Sequence, residues 1–102
     1  TADAVIAYAG GQNPTLAPYP AATKSVATWA AKNGCASSPT AGAPIDFESV
    51  LLGSETTVAE YKNCSAGGAA VLWSIQGGSH IPALQANFGE TVWSFLAAHP
   101  KP

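Results

Sequence analysis

A strand that must stop abruptly constrains this chain more than any other feature. Val71-Leu72-Trp73-Ser74-Ile75-Gln76 is apolar and β-favouring, and it runs directly into Gly77-Gly78, then Ser79-His80-Ile81-Pro82. Glycine tolerates positive φ, so the pair permits a sharp turn where the strand ends. Pro82 lacks an N–H and biases Ile81 towards extended geometry, which prevents a helix or ladder from continuing smoothly. The pattern predicts an imidazole on a short loop at the tip of a strand, a common way to present a general base. A structural histidine beside an apolar strand is the plainer alternative.

The rest of the chain supplies elements to pack around that strand. Ala22, Val26, Trp29 and Ala30 fall on one face of a helix over 21–33, with Pro20 suited to its start and Gly34 to its stop. Trp29 on that stripe is expected in the core. Alternation over 55–62 predicts a strand, and the Gly-bearing turn after Cys64 joins it to the strand over 69–76 as a β-hairpin. Residues 45–52 read as a short extended piece. Residues 8–20, with two glycines, Asn13 and three prolines, read as an irregular surface loop. A second helix over 85–99 carries Phe88, Val92, Phe95 and Leu96 as its apolar stripe and ends at Pro100.

Composition narrows the partners. The chain has 102 residues, enough for one domain or a part of one, and residues 1–102 form a single segment without internal repeat. Charged residues are only 10%, arginine is absent and the net charge is -2, which argues against nucleic acid or an acidic membrane surface as partner. No apolar run reaches membrane-spanning length, and the first residues do not resemble a signal peptide. The absence of methionine reads as a mature product or a fragment. Cys35 and Cys64 are too few for a usual zinc site, and no other metal or cofactor motif appears. A disulfide between them is favoured over free thiols and would imply an oxidising compartment.

A histidine base needs a carboxylate to hold its tautomer. The only aspartates are Asp3 and Asp46. Thr1-Ala2-Asp3-Ala4-Val5-Ile6-Ala7-Tyr8 followed by Gly10-Gly11 resembles the acid loop of secreted esterases of the polyhydroxybutyrate depolymerase and feruloyl esterase type. Trp29, Asn33-Gly34-Cys35, Tyr61, Cys64, the Val71 to His80 stretch and the helix through Val92, Trp93 and Phe95 resemble the C-terminal part of that family in the same order. The resemblance spans essentially the whole chain. It implies an α/β fold, here the C-terminal portion of an α/β-hydrolase sheet: the last strands plus two packing helices, incomplete as a stand-alone domain. It also implies secretion, a Cys35–Cys64 disulfide, and Asp3 and His80 as acid and base of a Ser-His-Asp triad. Ser79 stands where a third glycine is more usual, and Ile81-Pro82 where tryptophan-proline often follows.

The nucleophile is missing. This fold needs a serine in a G-x-S-x-G elbow, with chain order serine, acid, histidine. The nearest string, Asn63-Cys64-Ser65-Ala66-Gly67, lies in a hairpin turn without a following helix. The expected partners are therefore the N-terminal part carrying the serine, or another copy of the chain, together with a polyester, feruloyl or acetyl ester substrate. The chain alone is not expected to hydrolyse esters. Two other readings compete. A secreted binding module would use Trp29, Trp73 and Trp93 as contact residues, and Thr1 could be an N-terminal nucleophile.

Overall fold

The computed structural model describes residues 1–15 and 17–100; the part of the expected 8–20 loop at position 16 lies outside them. The described residues form an α/β arrangement in which a three-stranded sheet is flanked by two helices. The elements in order are β1 (Gly11–Gln12), β2 (Pro18–Tyr19), α1 (Ala22–Lys32), β3 (Thr40–Ala41), β4 (Thr56–Tyr61), β5 (Ala70–Ile75) and α2 (Asn87–Ala98). The sheet order is β3-β4-β5, antiparallel throughout, while β1 and β2 form a separate two-stranded ribbon.

The hairpin forms as its alternation predicts. Thr56 and Val58 are buried while Thr57 points out, and Val58 pairs with Trp73. Side chains alternate across β5, so Ser74 and Trp73 serve opposite faces. On one face Ser74 Oγ lies 2.7 Å from the Tyr8 hydroxyl, and Tyr8 O accepts the Ala22 N–H at the start of α1. On the other face Trp73 meets Phe47 at 5.4 Å and Phe95 of α2 at 6.0 Å between ring centroids, both edge-on. Phe47 also meets Phe88 and is fully buried. Edge-to-face rings add roughly 0.5–1.5 kcal/mol per pair beyond the area they bury, which makes Phe47 the anchor of this face.

Four expectations need correction. Trp29 is 63% exposed, not in the core: α1 packs through Ala30, which is 1% exposed, while Trp29 lines an open hollow with Ala70 and Val71 of β5 and Phe95 of α2. Leu96 is 56% exposed for a similar reason: Phe95, not Leu96, carries the contact of α2 with Trp73. The 8–20 loop is not wholly irregular, since Gly11 pairs with Tyr19 and Gln12 with Pro18. The extended piece over 45–52 is reduced to two isolated bridges, Ile45 to Thr56 and Glu48 to Leu84.

The disulfide joins Cys35, just past α1, to Cys64, just past β4. Gly34 (φ 65°) ends the helix there. No helix among the described residues is long and apolar enough to cross a membrane.

One edge of the sheet is open. Thr56 spends its N–H and C=O on Ile45, so its pairing with Ile75 is of the non-hydrogen-bonded kind. By the two-residue alternation of an antiparallel ladder, the main-chain groups of Val71, Trp73 and Ile75 then face away from β4. Among the described residues only the end of that edge is covered: Thr1 N donates to Ile75 O at 2.6 Å, and Ala2 N to Gly78 O at 2.9 Å. The Thr1–Ala2 segment thus runs alongside the end of β5 in the same direction.

Candidate functional site

The pairing of Thr1–Ala2 with the end of β5 brings the N-terminal segment against the glycine turn that precedes His80. Asp3 follows directly, and its Oδ1 accepts the N–H groups of Val5 at 2.7 Å and Ile6 at 2.8 Å, an Asx-type turn that fixes the carboxylate. Its Oδ2 lies 2.8 Å from His80 Nδ1. His80 is delivered by the turn foreseen at the glycine pair. Gly77 adopts φ 79°, and Gly78 is needed for space, since a Cβ there would sit 2.7 Å from Ile75 Cγ2.

The carboxylate is held in its ionised form. The hydrogen bond from His80, then those from the Ile6 and Val5 N–H groups, outweigh partial desolvation and hold the Asp3 pKa down to about 2. Asp3 is therefore an anion at any ordinary pH and acts as acceptor. With Nδ1 as the donor, Nε2 is left as the basic nitrogen. Among the described residues nothing bonds Nε2, and the imidazole is about half exposed. The arrangement can take up a proton at Nε2 and stabilise the resulting imidazolium.

The loops behind the pair are tied down. Tyr19 Oη accepts the Ala7 N–H at 2.9 Å, and Tyr8 holds Ser74 as above. On the histidine side Glu48, 5% exposed, accepts the N–H groups of Val50 and Leu51 on Oε2 and of Ala83 on Oε1. Those bonds, led by Leu51, keep its pKa below the usual carboxylate value against the opposing effect of burial. Ser49 N and Oγ both donate to Ala83 O, and Gln85 N to Phe47 O. Segment 47–49 thereby clamps the backbone shortly after His80. Sequence reasoning missed Glu48, because nothing in its neighbours marks a surface-type residue as an internal acceptor.

The other sequence-flagged groups lie elsewhere. Asp46 Oδ1 accepts from Gln85 Nε2 at 3.2 Å and its carbonyl from Asn87 Nδ2, at the approach to α2. Ser65 N donates to Asn33 O in the turn near the disulfide. Thr1 Oγ1 accepts the Gly77 N–H. No serine or threonine hydroxyl among the described residues is bonded to His80. A cavity of about 420 Å³ lies between the acid loop, the start of α1 and β5, with Asp3, Tyr8, Leu72, Ser74 and Ser79 in its wall. Comparison with protein families, curated proteins and solved structures finds no match.

Proposed function

We propose that the chain is the C-terminal part of a secreted serine esterase of the α/β-hydrolase type, contributing acid and base to a Ser-His-Asp triad. The observation that carries the reading is the 2.8 Å contact between Asp3 Oδ2 and His80 Nδ1. The carboxylate is fixed from behind by two backbone donors and Nε2 is left facing outward. A serine hydroxyl supplied from outside the chain would give its proton to Nε2 as its oxygen attacks the ester carbonyl. The imidazolium, stabilised by Asp3, would then protonate the departing alcohol, and water would release the acyl group by the same route.

The partner in this reading is the serine-bearing N-terminal part of the enzyme, or a second copy that covers the same surface. Two features support it. The outward main-chain groups of Val71 and Trp73 offer a strand-pairing edge. The Cα radius of gyration is 14.6 Å, above the roughly 13 Å of a compact domain of this length. The disulfide agrees with export to an oxidising compartment.

The test is His80→Ala in the serine-bearing protein, assayed on a chromogenic acetate ester. A fall in kcat on the order of 10⁴-fold or more is expected, with an unchanged circular dichroism spectrum. Turnover within tenfold of the parent removes the triad assignment.

A binding module remains as a second reading, because Trp29 and Trp93 are 63% and 70% exposed. They sit on helices that flank opposite faces of the sheet, so they do not form one stacking platform. Retention on insoluble cellulose or chitin, lost on Trp29→Ala, would favour this reading over the esterase.

A further inference from the structure

Of the four asparagines in the chain, one differs from the rest in both its sequence and its surroundings. Asn63-Cys64-Ser65 has the form Asn-x-Ser with x other than proline, the pattern on which oligosaccharides are transferred to asparagine. Asn13-Pro14-Thr15 is interrupted by proline, and neither Asn33 nor Asn87 has serine or threonine two positions on.

The fold separates the same residue from the others. Asn13 Oδ1 accepts both the N–H and the hydroxyl of Thr15, Asn33 Nδ2 donates to Ala69 O, and Asn87 Nδ2 to Asp46 O. Among the described residues neither the Asn63 amide nor Ser65 Oγ is bonded, and both residues are exposed. Asn63 sits on the turn just past β4, at φ 56°, a left-handed conformation that asparagine tolerates better than most residues. It lines a hollow of about 340 Å³ with Val71, Phe95 and His99, so a first sugar has room there without displacing a side chain.

We propose that Asn63 is an acceptor for an N-linked oligosaccharide. The bond formed joins Asn63 Nδ2 to the anomeric carbon of a lipid-diphosphate-linked oligosaccharide. The bond broken is the one from that carbon to the phosphate oxygen. The lipid diphosphate leaves with the electron pair, and one amide proton passes to a base of the transferase. Cys64 lies between the two recognised residues and is tied to Cys35, so transfer precedes closure of the disulfide. The six residues of β5, at about 3.3 Å each, separate this turn from the loop of His80, which the sugar leaves open. The proposal needs passage through an oxidising export compartment, with which the disulfide agrees, and nothing from the esterase reading.

The experiment is peptide mapping by mass spectrometry of the full protein made in yeast with an export signal, recovered from medium and cells. The peptide holding Asn63 is expected to carry N-acetylhexosamine and hexose. Release by peptide-N-glycosidase in heavy-oxygen water should leave a labelled aspartate at that position. Ser65→Ala should lose the sugar with an unchanged circular dichroism spectrum, and the conservative Ser65→Thr should keep it. Ser65 is the residue to change because Asn63→Gln would also strain the turn. Cys35→Ala, which cannot close the disulfide, should be modified at least as fully as the parent. A bare Asn63 in the parent, sugar persisting on it in Ser65→Ala, or a lower modified fraction in Cys35→Ala overturns the proposal.

Discussion

His80 Nδ1 and Asp3 Oδ2 meet at 2.8 Å although the residues lie 77 positions apart. The loop that carries each is independently fixed, Asp3 by the N–H groups of Val5 and Ile6, His80 by the glycine turn and the clamp on Ala83. The contact is therefore held by both loops, and its consequences can be measured without a substrate.

Asp3 should titrate near 2, not at the ordinary value near 3.8. Because the folded pKa is depressed, the stability it contributes is fully present above the ordinary value and is lost as pH falls through about 2. Carboxyl-carbon NMR gives the midpoint directly. In His80→Ala the midpoint should rise, since the largest cause of the depression is gone, yet stay below the ordinary value because Val5 and Ile6 still donate. An unchanged midpoint in that variant would mean the two groups do not interact in solution.

Glu48→Gln keeps the size of the side chain but sets an amide donor against backbone donors at Val50 and Leu51 or at Ala83. Thermal stability at neutral pH should fall, with faster hydrogen exchange at the Leu51 and Ala83 amides. Glu48 has a lowered pKa, so its contribution is present above the ordinary carboxylate value of 4.5 and is lost as pH falls below it. The variant should accordingly show a smaller drop in Tm between neutral and acid pH than the parent. Equal pH dependence in both proteins would contradict the assigned role.

Reducing the Cys35–Cys64 bond, or replacing both cysteines with alanine, frees a loop with a sequence separation of 29. The chain-entropy model puts the loss at about 3–4 kcal/mol. A denaturant midpoint that barely moves would show that the sheet and α1 hold this corner unaided.

The outward main-chain groups of Val71 and Trp73 should not stay solvated when the chain is concentrated. Sedimentation velocity is expected to show a dimer or larger species, or a complex once the serine-bearing part is added, with slowed amide exchange at Val71 and Trp73. A compact monomer at all concentrations, with those two amides exchanging freely, would argue against a strand partner at this edge.

Much of the secondary structure was readable from the chain because its causes are local. Helix α1, the β4–β5 hairpin and α2 follow from apolar spacing, and the stop after Ile75 follows from what Gly77 and Gly78 permit sterically. The burial of particular aromatics was not readable. Trp29 and Ala30 sit on the same predicted stripe, but close approach of α1 to β5 leaves room for the methyl group and not for the indole. Glu48 was equally silent, since a carboxylate becomes an internal acceptor only when distant backbone donors converge on it.

The chain by itself determined that an imidazole would be presented after a strand and that few carboxylates could serve it. Local sterics and a short inventory of ionisable groups are enough for that. Which carboxylate lies beside His80 was decided only by tertiary structure. Asp46 is drawn towards Gln85 and Asn87, whereas Thr1 and Ala2 bond to the end of β5 and so set Asp3 against the ring. Backbone pairing between distant segments, a long-range contact that no local pattern encodes, made that choice.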